Sequence, residues 1–261
     1  MRAQPAILVG VLLLSFILVG MGPAALVGPL QASHVSSSLS TFDNRLTSSN
    51  WAGYAVTGAT FTDVKGTWTQ PAVVGSCPSS ARYASFWVGI DGYNSKTVEQ
   101  IGTDSDCSHG SPSYYAWYEM YPANSVNIAT LPIHPGDVLT GEVKVTGASF
   151  KLSLKDATSG KSFSITKKSS SAKKSSAEWI AEAPEVCSPT CSIAKLNDFG
   201  TLHFTNSEAA TAGGDRPIDS FTGGSGPHEI TMDNAAFTKV RASPSGLGSS
   251  GETFTVSWKS A

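Results

Sequence analysis

The chain has 261 residues, a formal net charge of -2, 15% charged residues and 40% hydrophobic residues. A charge so near zero gives no general attraction to nucleic acid or to a membrane surface. The charged fraction lies well below the ~25% of an average soluble domain, which leaves few groups to change state when the medium turns acidic.

Residues 1–32 read as a secretory signal peptide: Arg2 precedes an uncharged run from Ala6 to Gly20, and Ala24, Ala25 and Ala32 offer small residues for cleavage. Apolar residues resume after Pro23 and continue to Leu30, so the alternative is an uncleaved anchor. Either way the body is expected outside the cytoplasm, secreted or tethered to a membrane with the domain facing out. Residues 33–48 are rich in Ser and Thr without apolar periodicity and read as a linker or short propeptide. Residues 49–261 form the domain, long enough for one sizeable core.

Within it, short alternating segments follow one another: NWAGYAVT, FTDVKGTWTQ, YASFWVGID, TVEQIG, YYAWYEMYP, DVLTGEVKVT, SFKLSLKDA, KSFSITKK, AEWIAEAP, FGTLHFTN, HEITMD, AFTKVRA and ETFTVSWK. Gly, Pro, Asn, Asp and Ser punctuate them, as turns require. No body segment sustains a capped helical period, so the expectation is an all-β, two-layer antiparallel sandwich. KKSSSAKK, residues 167–174, reads as a solvated hairpin tip, and no fixed-period repeat suggests a propeller. All four cysteines lie in the body. Cys187 and Cys191 need only a turn to meet, which leaves Cys77 to pair with Cys107; neither a second close pair nor neighbouring histidines support zinc.

Several catalytic signatures fail. His228-Glu229 lacks the second histidine of a zinc protease, Gly160-Lys161-Ser162 lacks the earlier glycine of a phosphate loop, and no Gly-x-Ser-x-Gly elbow occurs. The Asp-Ser/Thr-Gly triplet of ordinary aspartic proteases is also missing. Carboxylates and amides remain. In SAEWIAEAP, strand alternation puts Glu178, Ile180 and Glu182 on one face and Ala177, Trp179 and Ala181 on the other. Residues four apart on a strand stand roughly 13 Å apart, too far for one reaction centre, so a catalytic glutamate here needs a partner from another strand. In SYYAWYEMYP, Tyr115, Trp117, Glu119 and Tyr121 share a face. A glutamate among such rings must be wet or paired, and strands dense in Trp and Tyr suit a groove for a polymer.

SNWAGY (49–54), GTWTQP (66–71), FWVGIDG (86–92), TVEQIGTD (97–104), AWYEMYP (116–122), AEWIAE (177–182) and FGTLHFTN (199–206) resemble, in order, the motifs of the glutamic peptidases, or eqolisins. The resemblance implies a concanavalin-like double antiparallel β-sandwich of jelly-roll type. It also implies a secreted monomer that needs no metal or cofactor and cleaves protein or peptide substrates at acid pH with a glutamine–glutamate dyad. By motif, Gln100 matches the glutamine and Glu182 the glutamate. Trp87 and Asp91 match positions bordering the site, with Trp87 as a wall of the cleft and Asp91 as an orienting group; Glu119 and Tyr121 match the substrate-facing strand, and Glu178 is expected to stiffen the groove through hydrogen bonds. At Tyr115 the chain departs from fungal members, which carry an aspartate before AWYE. One competing reading is a carbohydrate-binding or glycoside-hydrolysing sandwich, which would want two carboxylates ~5–9 Å apart; a second is a catalytically dead binding module on the cell surface, in which Gln100 and Glu182 would lie far apart or both be covered.

Overall fold

The computed structural model describes residues 32–33, 39–42, 45–187 and 190–261. The expected signal segment, Ala32 excepted, lies outside these residues. Two antiparallel layers form the body. In the first, the strands run in the order His228–Asp233, Trp51–Thr57, Ser176–Glu182, Ser85–Ile90, Val98–Ser108, Ser111–Tyr121 and Val126–Pro132. In the second, the order is Ser162–Lys168, Ser149–Asp156, Val138–Thr146, Asp63–Thr69, Thr201–Thr211 and Phe254–Trp258. Val240–Pro244 pairs with a strand of each and closes one edge.

Alternation assigns each residue its side. Trp179, Tyr54, Val88, Phe86 and Ile101 of the first layer meet Val64, Trp68, Leu139, Phe150 and Phe204 of the second in one buried core. Trp179 shows how closely the layers fit: its indole N–H donates to the Lys65 carbonyl at 2.7 Å. A methyl group on Gly66 would lie 2.7 Å from the same ring, so a side chain there would push the layers apart. Burying roughly 200 Å² of one aromatic side chain is worth about 5 kcal/mol at ~25 cal/mol per Å², and five tryptophans are fully buried.

The outer face of the first layer is also packed. Trp51, Ala55, Trp87, Val98, Trp117, Ile180 and Ile230 form a second apolar cluster, with Leu39, Leu46, Tyr93, Tyr115 and Tyr121 against it. The strand that carries Glu178 and Glu182 is therefore buried along its whole length.

Several elements differ from expectation. Arg45–Ser48 pairs in parallel with His228–Asp233 and antiparallel with Leu39–Phe42; the sheet thus begins before Ser49, inside the stretch read as a linker. Val126–Pro132 is a strand whose weak alternation hid it, and its pairing is interrupted by a register shift. The segment after Lys168 is no free hairpin tip. Asp91, at φ 73°, accepts the backbone N–H groups of Lys173, Lys174 and Ser175 at 2.7, 2.8 and 2.9 Å. Both expected disulfides, Cys77–Cys107 and Cys187–Cys191, are formed.

Candidate active site

Register places the candidate residues in rows across the outer face of the first layer. Directly paired residues on antiparallel strands point the same way. One row is Glu178, Gly89, Gln100 and Glu119. The next is Ile180, Trp87, Gly102 and Trp117, and the third is Glu182, Ser85, Asp104 and Tyr115. Gln100 and Glu182 therefore share a face, two strands and two rows apart. On a flat sheet their α-carbons would stand roughly 16 Å from each other, more than the span between Glu178 and Glu182, so register puts the two on one face without by itself bringing them into one reaction centre. The row between them is lined by Trp87 and Trp117. Gly89 is required there, since a Cβ would approach the Trp87 ring and the Gln100 Cβ to 3.0 Å.

Glu182 is 0% exposed. Its Oε2 accepts the Trp87 indole N–H at 2.8 Å and its Oε1 accepts the Asn50 amide at 3.3 Å. Trp51, paired with Glu182 in register, stacks edge-on against Trp87 with ring centroids 4.9 Å apart. Burial pushes the Glu182 carboxyl well above the ordinary glutamate range, while the Trp87, Asn50 and Trp51 side chains pull against that push. The Trp51 indole N–H does so without reaching hydrogen-bond geometry.

Glu178 contrasts with it. Equally buried, it has no hydrogen-bond partner on either carboxyl oxygen, so the hydrogen bonds by which it was expected to stiffen the groove are not formed among the described residues. Burial raises its pKa well above the ordinary value; the Ser176 hydroxyl pulls against this, the charges of Asp91 and Glu99 add to it, and the Tyr93 backbone opposes it. An anion so placed would be expensive, so Glu178 is held as the neutral acid.

Gln100 donates from its amide nitrogen to Glu119 Oε2 at 2.9 Å. Glu119 is buried and engages the glutamine, rather than facing open solvent. Trp87 lies against Glu182 and donates its indole N–H to Oε2. Asp91 is committed to the loop at 173–175 and to the Thr97 and Ser175 hydroxyls, a tether for the strand end rather than a group turned to the cleft. Tyr121 packs half-buried on the Trp51/Trp87/Trp117 cluster.

Three participants had no assigned role in the sequence. Asn50 sits in the quoted SNWAGY, but only the fold shows that its amide reaches Glu182. Asp104 Oδ1 accepts the Trp117 indole N–H at 2.6 Å. Tyr115, at the position that departs from fungal members, places its hydroxyl 2.9 Å from Asp104 and 2.8 Å from Asp106. The spacing of Asp104 and Asp106, two apart and so on one face, was the signal available for that pair.

Comparison with known proteins identifies relatives of the whole domain. Aspergillopepsin-2 of Aspergillus niger is 33% identical over 188 residues, covering 64% of this chain and 66% of its own length. Scytalidopepsin B of Scytalidium lignicola is 32% identical over 202 residues, 74% of this chain and 70% of its own. The chain thus spans about two thirds of the length of the curated relatives it matches. Among solved structures, scytalido-glutamic peptidase bound to a transition state analog inhibitor superposes with a TM-score of 0.69 at 25% identity, over 81% of this chain and 98% of that one. Aspergilloglutamic peptidase from Aspergillus niger gives a TM-score of 0.58 at 30% identity, over 68% and 99%. The peptidase A4 family pattern is matched from residue 49 to residue 250, most of the described domain and every row of the site, and the chain belongs to the peptidase A4 family.

Proposed function

We propose that this protein is a secreted acid endopeptidase in which Glu182 is general base and then general acid, and Gln100 orients the water and stabilises the oxyanion. The carrying observation is the difference between the two glutamates of one strand. Glu182 has N–H donors on both carboxyl oxygens and can bear the charge a base needs; Glu178 has none. Family membership supports a peptidase reaction, and the shared outer face supports pairing Glu182 with Gln100.

In this reading an ionised Glu182 takes a proton from water as the oxygen attacks the peptide carbonyl, and then delivers that proton to the departing nitrogen. Gln100 cannot titrate. Its amide, fixed by Glu119, offers an oxygen to the water and an N–H to the developing oxyanion. The reaction needs Glu182 ionised at the first step and Gln100 does not titrate, so the rate should show an acid limb set by the Glu182 carboxyl, whose pKa burial raises.

Hydrolysis of denatured casein or haemoglobin across about pH 2 to 7, with and without chelator or a pepstatin-type inhibitor, tests the proposal. Activity insensitive to both additives is expected, abolished in Glu182→Gln and reduced ~10²-fold or more in Gln100→Ala. Full activity in either variant, or none in the parent at any pH, would overturn it. Cleavage of polysaccharide instead of protein would favour the carbohydrate alternative.

A further inference from the structure

Next to the proposed dyad, two carboxyl groups share a single phenol. Asp106 is 3% exposed and Asp104 is 0% exposed. The Tyr115 oxygen lies 2.9 Å from Asp104 Oδ2 and 2.8 Å from Asp106 Oδ2. A phenol carries one proton and can donate to only one acceptor at a time. The second short contact therefore needs a proton on the other side, because two bare carboxylates about the same oxygen would leave one facing a lone pair.

The surroundings show which acid keeps it. Asp104 also receives the Trp117 indole N–H at 2.6 Å, a short bond of the kind charged acceptors make. Asp106 receives only the Ala84 backbone N–H, at 3.2 Å, and forms no ion pair with a lysine or arginine among the described residues. The ionisable groups acting on it are Asp104 on its own strand, Tyr115 on the next, and Tyr83 from the segment preceding the Trp87 strand.

We propose that Asp106, Tyr115 and Asp104 form a proton-holding device that positions the Trp117 wall of the site: Asp106 stays protonated and donates to the Tyr115 oxygen, Tyr115 donates to Asp104, and the Asp104 carboxylate grips Trp117. Trp117 packs in one cluster with Trp87, which holds Glu182. Ser85 stands directly between Glu182 and Asp104 in the same row, so the device and the proposed base are neighbours. These are positioning residues; none of the three is assigned contact with the scissile bond. Burial and the charge of Asp104 raise the Asp106 pKa well above its usual 3.8, in the direction the proton count requires. The device is intact in acid and fails when Asp106 ionises, since a second negative charge then faces Asp104 across the phenol.

The positioning role in catalysis rests on the peptidase reading; the proton count does not, and the test separates them. In an E182Q background, which prevents self-digestion under the peptidase reading, thermal unfolding of the parent, D106N and D106L is followed at pH 3 and pH 7. An asparagine amide can donate to the phenol and accept from Ala84 as the protonated acid does. D106N should match the parent at pH 3 and lose several degrees less than the parent on going to pH 7, whereas D106L should melt lower at pH 3. Equal losses in parent and D106N, or D106N falling with D106L at pH 3, would overturn the proposal.

On the active background, kcat/KM for a peptide substrate at pH 4 should stay within about twofold for D106N, whose amide keeps the donor, and fall about tenfold or more for Y115F, which removes the hydroxyl joining the two acids. Y115F as active as the parent would remove the positioning role. A parent without activity would instead refute the peptidase reading and leave the unfolding comparison to judge the cluster.

Discussion

Glu99 offers a quantitative test of how this fold treats acids. It is 1% exposed and its Oε2 has no hydrogen-bond partner. Burial first, then the Asp91 carboxylate, carries its pKa from 4.5 to about 8, against a smaller opposing pull from the Ser169 hydroxyl and Lys174. A folded-state pKa above the unfolded one means that the native state holds the proton more tightly. Its contribution to stability is fully present below about pH 4.5 and is lost as the pH rises to about 8. At about 1.36 kcal/mol per pH unit over that interval, the loss approaches a ceiling of about 5 kcal/mol. Glu99→Gln has the same shape and no proton to lose. Unfolding of E182Q and of E182Q/E99Q should be followed by calorimetry at pH 4 and pH 8. The two should be similar at pH 4, and at pH 8 the double variant should be more stable by several kcal/mol. For a domain of ~200 residues that is a melting difference of roughly 10–20 °C. Identical pH dependence in both proteins would show that Glu99 is not a buried neutral acid, and would refute the account of acid stability based on it.

Two further outcomes follow from the site. Trp87→Phe keeps most of the ring but removes the N–H that Glu182 Oε2 accepts at 2.8 Å; the acid limb of the rate profile should move to higher pH, and turnover should fall ~10–10²-fold, so an unmoved acid limb would contradict the role given to that bond. Asp91→Ala removes the acceptor of three backbone N–H groups from residues 173–175 and should cost about 2–4 kcal/mol in urea unfolding while exposing this loop to limited proteolysis; stability within 0.5 kcal/mol of the parent, on the order of an ordinary surface change, would argue against the tether.

The segment SAEWIAE shows how much could be read in advance. A strand alternates with period two whatever it pairs with, so the division between Trp179 on one side and the two glutamates on the other was legible from seven letters. The structure adds that both sides are covered: Trp179 reaches Lys65 of the opposite layer, and Glu182 lies under an aromatic cluster of its own. Asp91 was expected to border the site and orient its neighbours; its hydrogen bonds to the backbone of a loop some eighty residues later were not legible. KKSSSAKK looked like free solvent-facing sequence because composition reports side chains, and this loop is held by its backbone. Gln100 came to notice through a motif resemblance, since nothing in a neutral carboxamide marks it as chemical.

Composition and periodicity by themselves determined most of the strands of the body, the separation of inner from outer faces, and the pairing of the four cysteines, because each follows from local geometry or from counting. Tertiary structure alone decided which strands lie side by side and in what register. That register sets Ser85 between Glu182 and Asp104, brings Asn50 onto Glu182, and closes two acids around one phenol. The physical reason is that hydrogen-bond ladders join residues far apart in the chain, and a shift of one position would turn every side chain to the opposite face.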